Sequence, residues 1–410
     1  MKSFIHAFAA LLIFSCSVRA EEGMEGEAKP TDVASEDIGT TLRRQQSLEK
    51  RFDGHLIPDW LKRWQSKRDA KLKRARVKLS MAYDSAVLAG IGGGNPLSAA
   101  SGELSLTGNW RIAGEDRDVP LDLHFRVRHR HAFGNRSASA LGGDLGTLWG
   151  VVDGFSDSGF EIPEFYFKRR FLRRDLELRF GQLSVDSQLD SHALRGAKQA
   201  FLNRAFASNP AVAFPRFGAG ATLHWDHESG FDLTAGATTI QATKTGDQVD
   251  FDLGSSDLFE ALQAGYDFAG YCGDPARLQI MGWNADAIDS ENISGGRGAA
   301  LTFEQEFTAA QARMFLRYAW SDGEATDLKH LVAGGFGKTC RDFDLFGVAL
   351  AAGQSSGPTG DWQVVLETFY RMQLAAEFHI TPDIQLVFGD GFPGGGDLRV
   401  IFGIRGHVSF

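Results

Sequence analysis

The chain has 410 residues, 48 of them glycine, and a formal net charge of −9. That acidic balance argues against a general nucleic-acid binder. Beyond the N-terminus no segment offers the ~18 consecutive apolar residues of a membrane-spanning helix.

The first residues read as a secretory leader. Lys2 precedes an apolar run from Phe4 to Phe14, and small residues lead to Val18-Arg19-Ala20. The run is too short to span a bilayer as a helix, and cleavage is expected after Ala20. Ser15-Cys16 offers a rival lipoprotein reading, but Phe14 fits a lipid-attachment box poorly. Losing Lys2 and Arg19 takes the charge from −9 to −11. Export leaves Cys272 and Cys340 in an oxidising compartment, where a disulfide is chemically allowed. The cysteines lack metal-site spacing, and no cofactor is implied.

Residues 21–37 are acidic and poor in bulky apolar side chains, the composition of a disordered segment. Residues 38–75 are rich in Leu, Arg, Lys and Gln, with Trp60 and Trp64 four apart. They read as one or two helices broken at Pro58. The basic run from Lys62 to Lys78 is either a solvated helix face or a helix lying at the mouth of a barrel.

From Arg76 onward, alternating segments of roughly ten residues are split by Gly, Asp, Asn and Pro, the period of tilted membrane strands. Strands are expected at 76–89, 102–112, 119–130, 161–170, 174–183, 217–225, 230–242, 258–268, 276–286, 298–306, 312–320, 328–336, 342–352, 363–373, 379–388 and 398–410. Sixteen is even, as a closed antiparallel single-chain barrel needs. The last of them has one greasy face (Leu398, Val400, Phe402, Ile404, Val408, Phe410) and one wet face (Arg399, Arg405, His407, Ser409), with Ile401 the exception. A strand that is apolar outward, basic inward and ends on Phe suits the closing strand of an outer-membrane barrel.

Loop lengths agree. With Phe410 placed in the periplasm, the connections at 113–118, 171–173, 226–229, 270–275, 307–311, 337–341 and 375–378 are all short and periplasmic, and the long 131–160 and 184–216 are external. Cys272 and Cys340 then lie two turns apart on the rim, about 20 Å at ~4.8 Å per strand. A disulfide needs Cα atoms within ~7 Å, so no bridge is expected. The loop 184–216 carries Asp186, Arg195 and Arg204 among Leu189, Leu194, Phe201 and Phe206. So many large apolar residues suit a loop folded back into the lumen, narrowing it.

Alternation also assigns the inward face. In LDLHFRVRHR, Asp122, His124, Arg126, Arg128 and Arg130 face in. So do Glu164, Tyr166 and Lys168, then Glu177 and Arg179, then Glu367, Phe369, Arg371 and Gln373, then Arg399 and Arg405, while Arg313 and Arg317 share one face. Tyr318, Trp320 and Phe410 suit an interfacial girdle. Arginine offers five fixed donors, carboxylates accept, and an aromatic ring can lie against a sugar face. The pore-lining, substrate-binding candidates are therefore Arg126, Arg128, Arg130, Glu164, Tyr166, Arg179, Asp186, Arg195, Arg204, Glu367 and Arg371. General or anion diffusion through the same charges is the alternative. An outer-membrane barrel enzyme would need a Ser–His pair at the rim, and none stands out, so no catalytic residue is assigned. The residues before the first strand are too few and too charged for a transporter's plug, and nothing points to an adhesive barrel.

The segments FEIPEFYFKRRFLRRDLELRFGQLSVDS, AFLNRAFASNPAVAFPRFGAGATLHW, and VVLETFYRMQLAAEFHITPDIQLVF with FGIRGHVSF resemble the carbohydrate-selective porins of Gram-negative outer membranes (OprB-like). DWLKRWQSKRDAKLKRARVKLSMAYDSAVLAGIGGG is similar to that family's first helix and first strand. Two departures are Trp60-Leu61-Lys62 where the family has Trp-Gly-Gly, and loops that look trimmed. The resemblance implies an all-β, 16-stranded antiparallel transmembrane β-barrel with a short N-terminal helical segment. It further implies facilitated diffusion of sugars, from mono- to small oligosaccharides. The expected partners are the sugar, outer-membrane lipids, and the barrel-assembly machinery engaging the C-terminal Phe410 strand. Both termini are expected in the periplasm, and the pore is a monomer or a trimer, with the resemblance leaning toward monomers.

Overall fold

Sixteen strands form where alternation is strongest. In the computed structural model the described residues are 58–92, 97–114, 119–171, 175–240, 246–249, 251, 257–288, 294–323, 325–341, 343–390 and 392–410. The expected leader (1–20), the acidic segment (21–37) and the first part of the helical segment (38–57) lie outside them. The strands are β1 (Val77–Ile91), β2 (Leu97–Ala113), β3 (Leu121–Ala132), β4 (Gly159–Phe171), β5 (Leu176–Leu183), β6 (Gly218–Asp226), β7 (Phe231–Thr239) and β8 (Leu258–Ala269). They continue as β9 (Pro275–Ala285), β10 (Gly296–Phe307), β11 (Ala312–Ser321), β12 (Leu328–Cys340), β13 (Asp344–Ser355), β14 (Trp362–Ala375), β15 (Phe378–Gly389) and β16 (Leu398–Ser409). Every strand expected from the sequence is present, most of them a residue or more longer.

Each strand pairs antiparallel with its chain neighbours, and β16 pairs with β1 from Ala82↔Ser409 to Ile91↔Val400, so the sheet closes. Phe410 continues the seam by donating its N–H to the Met81 carbonyl at 2.8 Å. Closure leaves no edge strand, the condition for a sheet to cross lipid. Among the described residues no helix is long and apolar enough to cross a membrane.

The two faces invert the usual rule of globular proteins. On β16, Ile404 is 59% exposed while Arg399 is fully buried. Val87, Leu262, Ile280, Leu301 and Phe402 stand exposed on the same outer wall. In water each such side chain would forfeit about 1.5–3 kcal/mol of burial, a cost that a hydrocarbon surround removes. Trp110, Tyr266, Tyr318, Trp362 and Phe388 are exposed toward the strand ends, as an aromatic girdle requires. Trp320 is half-buried beside Tyr318 on the outer face.

One end of the barrel carries short turns, such as residues 376–377 and 308–311; the other carries the long connections. Two long connections turn inward. The β3–β4 loop contains a 3₁₀ turn (Ala138–Ala140) and α2 (Leu141–Asp144); the β5–β6 loop contains a 3₁₀ turn (Val185–Ser187) and α3 (Arg204–Ala207). The hydrophobic core is therefore inside the barrel, where Leu141, Trp149, Phe201 and Phe206 of the loops pack with Leu88, Phe315 and Phe369 of the wall. Inward glycines make room. A Cβ on Gly337 would come within 2.6 Å of Leu194, and one on Gly90 within 2.7 Å of Leu145. Before β1, α1 (Asp59–Arg74) joins the barrel at its short-turn end. Cys272 and Cys340, also at that end, are free thiols.

Candidate functional site

The β5–β6 loop is fastened to the wall by polar side chains that the strands aim inward. Glu367 on β14 accepts the backbone N–H groups of Leu202 (2.5 Å) and Asn203 (2.8 Å). Next along that face, Arg371 donates to the Gln199 carbonyl at 2.7 Å. On β16, Arg405 donates to the carbonyls of Ala200 (2.7 Å) and Ala197. On β11, Arg317 donates to the Ser208 and Asp190 carbonyls at 2.5 and 2.8 Å. Glu304 on β10 accepts the Ala193 N–H at 2.6 Å, and Thr302 donates to Asp190. A loop cannot pair its own backbone as a strand does, so buried N–H and C=O groups need such partners.

Within the loop, Arg195 is a clamp. It donates to the carbonyls of Ala207 (3.1 Å), Leu189 (3.2 Å) and Asp186, and pairs with the Asp186 carboxylate at 3.1 Å. His192 is fully buried, stacked on Phe315 with ring centroids 3.8 Å apart, and its Nε2 lies 2.9 Å from the Phe206 carbonyl. Burial, with the guanidiniums of Arg317 and Arg195 nearby, holds this imidazole well below its ordinary value.

The β3–β4 loop locks onto the first. Trp149 Nε1 donates to Asn203 Oδ1 at 2.8 Å, and the backbone N–H groups of Asp153 and Arg204 donate to the carbonyls of Leu202 and Gly150. Gln385 and Arg399 of the wall donate to the carbonyls of Val151 and Leu145. Asp153 is pushed above the ordinary carboxylate range by burial and by Asp186, against the pull of Arg195, Arg204 and Arg130. Beyond its length, nothing in the residue pattern of 133–158 signals this second inward loop.

The wall of β1 to β5 is different, because its charges pair chiefly with one another. Arg128 meets Glu161 at 2.6 Å, Arg130 meets Glu103 at 2.6 Å, and Arg126 lies 3.8 Å from Glu103. Arg216, at the end of the β5–β6 loop, also pairs with Glu161. Lys198 bridges Glu103 (2.6 Å) and Asp84 (3.2 Å), tying the loop to this cluster. Nearer the short turns, Tyr166 stacks on His124, which meets Glu164 at 3.2 Å. Arg179 lies over Tyr166 and pairs with Glu177 at 2.6 Å. The guanidiniums retain partial exposure, 15% for Arg126 and 22% for Arg179.

The eleven candidates thus fall into two groups. Arg126, Arg128, Arg130, Glu164, Tyr166 and Arg179 share the β3–β5 wall. Glu367, Arg371 and Arg195 hold the β5–β6 loop by its backbone, Asp186 sits within that clamp, and Arg204 meets Asp327 at 3.2 Å, both well exposed. Asp84, Glu103 and Asp153 were missed. Alternation in MAYDSAV and SGELSL could have supplied the first two. No group of three or more metal-ligating side chains occurs among the described residues.

A family model described as carbohydrate-selective porin, OprB family, matches residues 267–410. A search of curated proteins gives no match. Among solved structures, the high-pH form of OprB from Pseudomonas putida superposes with a TM-score of 0.70 at 13% identity, covering 85% of this chain and 97% of that one. Its low-pH form gives 0.52 at 13% identity, with 85% and 96% covered. An anion-selective porin from Comamonas acidovorans gives 0.50 at 12% identity, with 82% and 99% covered. At such identities the likeness is one of fold. Over residues 267–410, then, the chain carries the sequence pattern of the carbohydrate-selective porins, and over its barrel it has the fold of one.

Proposed function

We propose that the protein is a passive outer-membrane pore through which mono- or small oligosaccharides diffuse, held by weak successive contacts. The short turns and both termini of the chain lie in the periplasm; the long connections begin outside. The observation that carries the reading is the β3–β5 wall, where the guanidiniums of Arg126, Arg128, Arg130 and Arg179 remain partly exposed over buried carboxylates. The family match over the C-terminal strands supports the substrate class. The β5–β6 loop, with the β3–β4 loop packed on it, acts as the constriction and confines solutes to that strip. Arg126, Arg128, Arg130 and Arg179 offer donors to sugar hydroxyls and Asp186 accepts, whereas Glu164 and Tyr166, expected from alternation to line the pore, are buried against His124 and Arg179 and support the wall. No single contact needs to be strong, because a trapped solute would block conduction. Nothing in this scheme calls for a catalytic group, and the Ser–His contact between His227 and Ser229 lies in an exposed turn outside the lumen.

An anion-selective pore is the second reading. It is favoured by the sign of the β3 cluster, where Arg126, Arg128, Arg130, Arg216 and Lys198 face Glu103, Glu161 and Asp84. Single-channel recording in a planar bilayer separates the two. Sugar at millimolar concentration should produce blocking events on the sugar-pore reading. Conductance untouched by sugar, with a reversal potential set by chloride, would replace it with the anion pore.

A further inference from the structure

We infer that α1 is a membrane-surface anchor that lies on anionic phospholipid head groups at the short-turn rim of the barrel. Its sixteen residues span about 24 Å. Trp60, Arg63, Trp64, Lys67, Lys71 and Arg74 recur at helical spacing and so form one stripe. All six are exposed, Trp60 by 65% and Trp64 by 52%. Arg68 lies over the Trp64 ring at 5.3 Å and pairs with Asp69 at 2.9 Å. Indole and ammonium or guanidinium groups on one face are the composition of a helix lying in a bilayer interface.

The junction fixes where this stripe stands. Only Ala75 and Arg76 separate α1 from β1. Ala75 donates its N–H to the Lys71 carbonyl and Arg76 to the Lys73 carbonyl, both at 3.1 Å, and the Arg76 carbonyl accepts the Arg111 N–H of β2 at 3.0 Å. The helix therefore begins at the level of the girdle. Trp110, 45% exposed on the outer wall, is the register partner of Val77 at the start of β1. The C-terminal part of the stripe, Lys71 and Arg74, stands beside that rim, and its charge opposes that of the chain as a whole, −9. An anionic head-group surface supplies the complement.

The test uses the whole protein in vesicles, with the emission of Trp60 and Trp64 isolated as the difference between the native chain and Trp60→Phe/Trp64→Phe. In vesicles containing phosphatidylglycerol this difference spectrum should be blue-shifted and quenched by brominated acyl chains. Arg63→Glu/Lys67→Glu/Lys71→Glu should lower the interfacial population by about two orders of magnitude, since each basic group is worth roughly fivefold. A difference spectrum at the water position in anionic vesicles overturns the inference. So does equal quenching in phosphatidylcholine alone, or shielding found only in native membranes, which would assign the stripe to a protein. None of these readouts depends on the solute the pore conducts.

Discussion

Glu367→Ala should release the apex of the β5–β6 loop and open the pore. The Glu367 carboxyl group is fully buried and accepts two backbone N–H groups, from Leu202 and Asn203. Alanine leaves both donors without a partner in a closed environment, at about 1–3 kcal/mol each, so about 2–6 kcal/mol against the seated loop. At 1.4 kcal/mol per decade that shifts the seated-to-released ratio by roughly one to four orders of magnitude. Arg371 and Arg405 still hold residues 197–200, so the release is confined to the stretch near α3 and the barrel itself stays closed. The assay is single-channel conductance with limited proteolysis in parallel. The expected result is larger or noisier current and new cleavage within residues 201–209, with heat-modifiable mobility of the barrel retained. Native current with unchanged protease resistance would refute the assignment of Glu367 as a loop anchor.

Arg126→Ala should leave the loop seated and reduce sugar-dependent blocking severalfold, since Arg126 faces the cluster around Glu103; the dwell time of blocking events measures this. For His192 the sign follows from its depressed folded-state value. Above the ordinary value of 6.5 both seated and released loop hold the ring neutral, and stability is intact. As pH falls below 6.5 the released loop takes up a proton that the seated loop refuses, costing up to about 2 kcal/mol by pH 5. Gating noise should therefore rise on acidification, and His192→Phe should flatten that rise. Trp149→Phe removes the indole donor to Asn203 and keeps an aromatic ring of smaller size. It should cost about 1 kcal/mol, read as a lower unfolding temperature of the loops by hydrogen exchange at residues 147–155.

Alternation carried most of the fold, because a strand between lipid and an aqueous lumen has two chemically different faces along its whole length. The run Leu398 to Ile404 was legible for that reason, Ile401 apart, and a closed sheet required its pairing with β1. Alternation also put Arg126, Glu367 and Arg405 on the inner face. It could not say what each would meet there. Arg371 and Arg128 look alike as sequence, yet one binds the Gln199 carbonyl and the other Glu161. That difference depends on the path of a loop whose residues are distant in the chain. The β3–β4 loop was opaque for the same reason. Its apolar residues Leu141, Leu145 and Trp149 are buried only because Gly90 and the β5–β6 loop leave room for them.

The partner, more than the residue type, separates the two uses of arginine in this lumen. A guanidinium bonded to backbone carbonyls, as in Arg317, Arg371 and Arg405, spends its donors on holding chain, and a passing solute would have to displace a buried bond to reach it. A guanidinium paired with a wall carboxylate, as in Arg128 and Arg130, keeps further N–H groups to offer from its fixed fork. On the sugar-pore reading proposed above, pairing within the wall also tempers the field, so that a neutral polyhydroxyl solute would compete with an anion. Lys198 joins the two systems, since it belongs to the loop and neutralises Glu103 and Asp84 of the wall. Seating the loop and setting the charge of the inner wall are therefore one event, because a loop that leaves takes a cation with it and exposes two carboxylates.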